Sequence, residues 1–173
     1  AASVQFRGDL GAVLQSLSNG DVARFIHELQ TSPETTSPAW QKLINALTIG
    51  ETYFLRDQGH FQMLRTVILP EIIARRRQQG RLTLNIGSVG CATGEEPYSI
   101  AVTLYETLPD LADWTVRLIG TDLNAYALNN ARHGVYRQWA FRTAGEEFQK
   151  RYFDTAYEGL RIKPYIREMV TFR

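Results

Sequence analysis

The stretch with the most chemical content is Ser88-Val89-Gly90-Cys91-Ala92-Thr93-Gly94-Glu95-Glu96-Pro97. Small residues there let a ligand approach the backbone closely, and the start of the following helix offers free N–H groups. Its residues exclude two phosphate chemistries. A triphosphate loop needs Lys after its last Gly, whereas Glu95 and Glu96 follow Gly94 and would repel a triphosphate. A dinucleotide fingerprint needs G-x-G-x-x-G, and Gly87, Gly90 and Gly94 are spaced otherwise. The acidic pair suits a ligand that carries positive charge. S-adenosylmethionine, with its sulfonium, ammonium and ribose hydroxyls, is such a ligand, and carboxylates can serve all three. A further acid, Asp122, ends a second apolar run. An acid at the tip of a second strand can hold ribose hydroxyls. The competing reading makes Asp122 the cap of a helix starting near Asn124.

The elements that must carry these residues follow from periodicity. Leu10, Val13, Leu14 and Leu17 share a helix face, as do Val22, Phe25, Ile26 and Leu29, and then Trp40, Leu43, Ile44 and Leu47. Asp21 can cap the second of these helices, and Ser37 followed by Pro38 reads as a cap and first-turn proline for the third. The loop from Thr31 to Pro38 is the expected flexible point of this half. A fourth helix runs from Asp57 through Phe61, Leu64 and Ile68; Pro70 should bend or divide it, and Gly80 ends it. Arg75-Arg76-Arg77 in its last turn reads as a solvated helix end, with an acidic-partner patch as the sharper alternative. After Gly80 the period changes. Leu82 to Val89 and Trp114 to Gly120 read as strands, with helices at Pro97–Leu108 and Asn124–Ala131. This alternation predicts a parallel α/β sheet. Phe148–Phe153 reads as a short helix, and Leu160–Lys163 and Met169–Arg173 read as two further strands of that sheet.

Composition narrows the class. The chain has 173 residues, 44% hydrophobic and 21% charged, with a net charge of +1. That fits a packed domain and gives no general drive toward nucleic acid or anionic membrane. No apolar run reaches the ~18 residues of a membrane span. The single Cys91 excludes an intrachain disulfide and fits a reducing, cytoplasmic setting. It reads as a small packing residue. His27-Glu28 lacks the second histidine of H-E-x-x-H, because position 31 is Thr. His60 and His133 are isolated, and Tyr53-Phe54 and Tyr152-Phe153 read as core, so no metal site or nucleic-acid platform is expected.

Gly90-Cys91-Ala92-Thr93-Gly94-Glu95-Glu96-Pro97-Tyr98-Ser99-Ile100-Ala101 closely resembles the motif of the CheR-type chemotaxis receptor methyltransferases. Gly50 to Asp57, Thr121-Asp122-Leu123-Asn124, Ala131 to Tyr136 and Arg151-Tyr152-Phe153 resemble the family's other markers, in its order. The resemblance covers residues 45 to 173. It implies an N-terminal helical subdomain over residues 1–70, followed over 71–173 by part of a Rossmann-like methyltransferase sheet. It implies S-adenosylmethionine-dependent methylation of glutamates on a methyl-accepting chemotaxis receptor or related sensory protein, leaving S-adenosylhomocysteine. It places Thr52 and Arg56 at the methionyl end of the cofactor or the neighbouring substrate pocket, with Arg56 the orienting, catalytic residue. Gly90 belongs to the cofactor turn, Glu96 binds the cofactor through its ammonium, and Asp122 holds the ribose.

Three departures stand out. Gly50 replaces the family's usual Asn, and Gly87 a common Trp. Residues 1–46 hold Arg7, Arg24 and Lys42 against Asp9, Asp21, Glu28 and Glu34, or −1, where the family's docking helix is basic. The chain opens Ala1-Ala2-Ser3 without Met, suggesting a trimmed start, and it ends within a strand. That reading expects a C-terminally truncated sheet, its missing strands either supplied by a second chain or lost from a cut, split or shortened one, with weak activity alone. The rival reading is a regulatory module that binds the cofactor without transferring a methyl group. A nicotinamide dehydrogenase is argued against by Glu95-Glu96.

Overall fold

A computed structural model describes residues 10–48 and 50–173. The Ala1-Ala2-Ser3 start and the charges of Arg7 and Asp9 lie outside the described residues. Three helices open it: α1 (Leu10–Leu17), α2 (Val22–Thr31) and α3 (Pro38–Leu47). Asp21 caps α2 as expected, accepting from Arg24 N at 2.9 Å. Pro38 opens α3, but the Ser37 hydroxyl donates to Ser32 O at 3.2 Å instead of capping. Phe25, Ala39 and Leu43 form a small buried core, with Leu14, Leu17, Leu29, Trp40 and Leu47 against it. Ile26 shares the helical spacing yet is 40% exposed, because two neighbouring helices cover only part of α2. The loop expected to be flexible is tied down: Trp40 Nε1 donates to Leu29 O and Gln41 Nε2 to Thr35 O.

Helix α4 (Gln58–Met63) is capped by Asp57 and runs through a π turn (Leu64–Ile68) into α5 (Leu69–Gln78). Pro70 has no N–H for the preceding turn, and the widened turn takes up that mismatch, with Leu69 N bonding Leu64 O. The helix is therefore locally rewound and not divided. At its end Arg77 pairs with Asp110 at 2.6 Å, so at least one of the three arginines is held within the molecule.

The sheet is parallel, as the alternation predicted. β1 (Thr83–Val89), β2 (Thr115–Thr121) and β6 (Val170–Phe172) lie in the order β1-β2-β6. Helix α6 (Glu95–Thr107) connects the first two strands, and α7 (Ala125–His133) follows the second. Register sets Val89 opposite Thr121, so the two strand tips are level. The expectation for Leu160–Lys163 is corrected. Those residues form β5 (Gly159–Ile162) of a separate antiparallel sheet, between β3 (Val135–Tyr136) and β4 (Phe153–Ala156). The reason is local. Tyr157-Glu158 joins β4 to β5 too tightly for a parallel crossover, and Gly159 adopts φ +146° where a Cβ would lie 2.2 Å from Tyr136 O. The predicted short helix is α8 (Glu146–Tyr152), with Phe153 already in β4. A last turn, α9 (Pro164–Arg167), leads into β6.

One aromatic cluster joins the two sheets. Phe54 is fully buried and lies 4.8–5.8 Å, centroid to centroid, from Tyr136, Phe141, Phe153 and Phe148. Tyr98 packs on Tyr136 and Phe172, and its hydroxyl donates to Ala131 O at 2.9 Å. Tyr53-Phe54 and Tyr152-Phe153 were expected in the core. Phe54, Tyr152 and Phe153 are buried, and Tyr53 is half-buried. No described helix is long and apolar enough to cross a membrane.

Candidate functional site

The turn after β1 carries three residues in the left-handed region: Gly90 (φ +72°), Ala92 (φ +46°) and Gly94 (φ +94°). At Gly94 a Cβ would lie 2.8 Å from Ala131 Cβ and 3.1 Å from Phe172 Cζ, so close packing of helix and sheet requires glycine. Ala92 has no such excuse, and its backbone is held by a neighbour. Asp122 Oδ2 accepts from Ala92 N at 2.8 Å, while Gly90 N and Cys91 N both donate to Thr121 O. Asp122 Oδ1 accepts from Asn124 N at 2.8 Å. The α7 cap is Asn124, whose Oδ1 accepts from Tyr126 N and Ala127 N. Asp122 therefore ties the tip of β2 to the turn after β1 and does not cap the helix.

In front of this turn lies an open cleft of about 760 Å³. Thr52, Arg56, Gly90 and Glu96 all line it, with Glu51 on its rim. Four of the five residues singled out in the sequence thus converge, although 44 positions separate Thr52 from Glu96. The fifth, Asp122, is not among the lining residues and braces the turn. Arg56 Nη1 donates to Glu51 O at 2.9 Å. Glu96 Oε1 accepts from Ser88 Oγ at 2.7 Å, which orients the carboxylate from the strand side. Nothing lies within 4 Å of a Cβ placed on Gly90.

The two glutamates of the motif differ. Glu96 is exposed at the cleft, whereas Glu95 is 4% exposed and accepts from Thr93 Oγ1 at 2.6 Å. Burial raises the Glu95 pKa, and the Thr93 hydrogen bond opposes that rise. Glu95 faces a second cleft of about 680 Å³ that shares Glu51 and Thr52 with the first. Burial also pushes the Cys91 thiol up to about 12, with the Asp122 charge adding to it. Cys91 is a packing residue, as expected, 2% exposed.

Several site-building residues carry no signal of spacing. Ser99 Oγ accepts from Leu55 N at 3.1 Å and donates to Glu95 O at 2.7 Å, joining the two walls of the cleft. The 138–144 segment grips residues 51–58 from the other side. Phe54 N donates to Ala140 O, Thr143 Oγ1 donates to Phe54 O at 2.7 Å, and Gln58 Nε2 donates to Thr143 O. Arg142 belongs to the same grip and was invisible in the sequence.

The donor set fits the cationic ligand expected from the sequence. Glu51 and Glu96 line a cleft that is bare at Gly90, the Glu51 carboxylate being paired with Arg142, and Arg56 lines it as the guanidinium able to bind a carboxylate. A parallel sheet with a glycine turn at one strand tip and an acid at the next defines the class of α/β domains that hold nucleoside cofactors at the carboxyl ends of their strands. Within that class, residues 50–173 match the family described as CheR methyltransferase, SAM binding domain, and the chain belongs to that family. It is 34% identical over 163 residues to the chemotaxis protein methyltransferase of Salmonella typhimurium, covering 92% of this chain and 52% of that protein. It is 32% identical over 149 residues to a probable chemotaxis protein methyltransferase of Rhizobium etli, covering 84% and 54%. The corresponding figures for the Escherichia coli chemotaxis protein methyltransferase are 32% over 163 residues, 92% and 53%. The chain spans about half the length of the curated relatives it matches. The family description agrees with the expectation of S-adenosylmethionine as the cofactor.

Proposed function

We propose that this chain is the part of a protein-glutamate O-methyltransferase that holds S-adenosylmethionine, and that the acceptor is a glutamate side chain of a methyl-accepting chemotaxis receptor or related sensory protein. The observation that carries the reading is the convergence of Thr52, Arg56, Gly90 and Glu96 on one cleft, above a turn braced by Asp122. When bound, the cofactor supplies a methyl group on a positively charged sulfur. Arg56 and Thr52 would hold its methionyl end or the neighbouring substrate carboxylate, Glu96 would take its ammonium, and Gly90 would let it lie against the backbone. Asp122 holds the turn in shape from behind the cleft, and only its remaining lone pairs would be open to a ribose hydroxyl.

No general base is required of this chain. A glutamate carboxylate, with a reference pKa of about 4.3, is already ionised at neutral pH. The work left to the protein is alignment and exclusion of water. Arg56 orients carboxylates in the cleft through its planar fork. The products are a glutamyl methyl ester and S-adenosylhomocysteine.

The same reading divides the chain into a helical subdomain over residues 1–70 and the first part of the methyltransferase domain over 71–173. It places the protein in the cytoplasm. Among the described strands β1 pairs only with β2, and Val89 at its tip is 84% exposed. That open edge supports completion of the sheet by a further segment or a second chain. Titration calorimetry with S-adenosylhomocysteine, then transfer of labelled methyl from S-adenosylmethionine to a receptor cytoplasmic domain, tests the proposal. Binding that is lost in Arg56→Ala and Asp122→Ala supports it. Binding without transfer by a chain extended to its relatives' length leaves a regulatory module in its place.

A further inference from the structure

The Arg142 guanidinium is sandwiched between two rings, 3.5 Å from the Tyr53 centroid and 4.1 Å from the Trp139 centroid. Its Nη2 lies 3.1 Å from Glu51 Oε1, and its Nη1 donates to Trp139 O at 3.0 Å. The side chain is 20% exposed, so solvent screens these contacts less than on an open surface. Both Tyr53 and Glu51 belong to the strip that carries Thr52 and Arg56. Glu51 is held twice, by its carboxylate to Arg142 and by its carbonyl oxygen to Arg56 Nη1. A continuous set of contacts therefore runs from the Trp139 turn through Arg142 and Glu51 to Arg56 at the cleft.

We propose that Arg142 is a positioning residue for the cofactor cleft, clamping residues 51–56 so that Thr52 and Arg56 face the glycine turn. The inference deepens the cofactor reading above and rests on it for its binding consequence. Two properties of arginine suit the role. Its plane stacks on aromatic faces, and its fork reaches a carboxylate in the same conformation. Lysine offers charge without the plane. The neighbouring hydrogen bonds, Phe54 N to Ala140 O and Leu55 N to Ser99 Oγ, report on whether the strip is in place.

Amide hydrogen exchange on the full chain, comparing the parent with Arg142→Ala and Arg142→Lys, reads the clamp directly. We expect Phe54 and Leu55 to lose protection in Arg142→Ala while the β1 and β2 amides keep theirs, with Arg142→Lys restoring part of the loss. Unchanged protection at Phe54 and Leu55, or an equal loss throughout β1 and β2, overturns the proposal. Full restoration by Lys also overturns it, because charge alone would then suffice. At a temperature well below melting, Arg142→Ala should weaken S-adenosylhomocysteine binding by about five- to tenfold, between the size of an exposed and of a desolvated cation–ring contact. Wild-type affinity in that variant counts against Arg142. Failure of the parent chain to bind at all counts against the cofactor reading instead, and the exchange result stands on its own.

Discussion

The glycine-turn half and the three-helix N-terminal bundle use different means to stay folded. Around the turn, large rings interlock: Phe54, Tyr98, Tyr136, Phe141 and Phe153 are buried together, and the strand tips are stitched by main-chain and Asp122 hydrogen bonds. Among the described residues the bundle has three buried apolar side chains, Phe25, Ala39 and Leu43. Hydrogen bonds tie it to the turn between β2 and α7. Gln41 Nε2 donates to Leu123 O and its Oε1 accepts from Ala125 N, while Asn124 Nδ2 donates to Asn45 Oδ1 and Thr48 Oγ1. Dense packing fixes positions closely. Gln41 and Asn124 are buried at this seam, but each hydrogen bond they make contributes only about 1 kcal/mol net, less than a packed ring. The site geometry should therefore depend steeply on the first region and weakly on the second.

The largest expected effect tests that claim at its centre. Phe54→Ala removes a ring that touches four others and should cost about 3–5 kcal/mol, read from the urea unfolding midpoint. A loss below about 1 kcal/mol would mean that the aromatic cluster does not hold the two sheets together. Next comes Gly94→Ala. The added methyl meets Ala131, Phe172 and the Tyr136 hydroxyl, and the backbone is left-handed, so we expect a loss of about 2–3 kcal/mol. Gly90→Ala shares the left-handed backbone but has open space around it. Its loss should be nearer 1 kcal/mol, the conformational part alone. Equal melting temperatures for the two variants would show that crowding at Gly94 is not what requires glycine.

Gln41→Ala probes the seam. Two polar ties to the β2–α7 turn disappear, at a cost of about 1–2 kcal/mol. Limited proteolysis should then cut between residues 31 and 48 faster, while the Phe54 and β1 amides keep their exchange rates. Loss of protection in β1 as well would erase the distinction between the two regions.

What the sequence could disclose follows the same division of forces. Periodicity found α1, α2, α3, β1, β2, α6 and α7, because each buries one face or one run. The resemblance to the family's motifs, and not periodicity, singled out Thr52, Arg56, Gly90 and Glu96, which line one cleft. Periodicity could not tell that β5 leaves the parallel sheet, since a short strand alternating apolar and charged residues, Leu160-Arg161-Ile162-Lys163, looks alike in either partner arrangement and the choice lies in the Tyr157-Glu158 hairpin. Nor could it find Arg142, which meets Glu51 across 91 positions, or Gln41, a polar residue on an otherwise ordinary helix. Asp122 was legible as an acid at a strand tip, but its bond to Ala92 N needs the register that levels the two tips.

The smallest effect separates the paired glutamates within the well-packed half. Burial raises the Glu95 pKa from its ordinary 4.5, so the folded state holds that proton more tightly than the unfolded chain does. Between 4.5 and the raised value the folded state binds more protons, and by linkage stability must fall as pH rises through that window. Other carboxylates contribute their own slopes, so the informative quantity is the difference between parent and Glu95→Gln. The variant cannot ionise at that position, and its amide can still accept from Thr93. Urea midpoints measured upward from pH 4.5 should show the parent losing stability relative to Glu95→Gln. Glu96, by contrast, is exposed and accepts from Ser88 Oγ at 2.7 Å. Parallel curves for parent and Glu95→Gln would mean that water reaches Glu95 freely, and that the second cleft opens far enough to solvate the carboxylate beneath the turn.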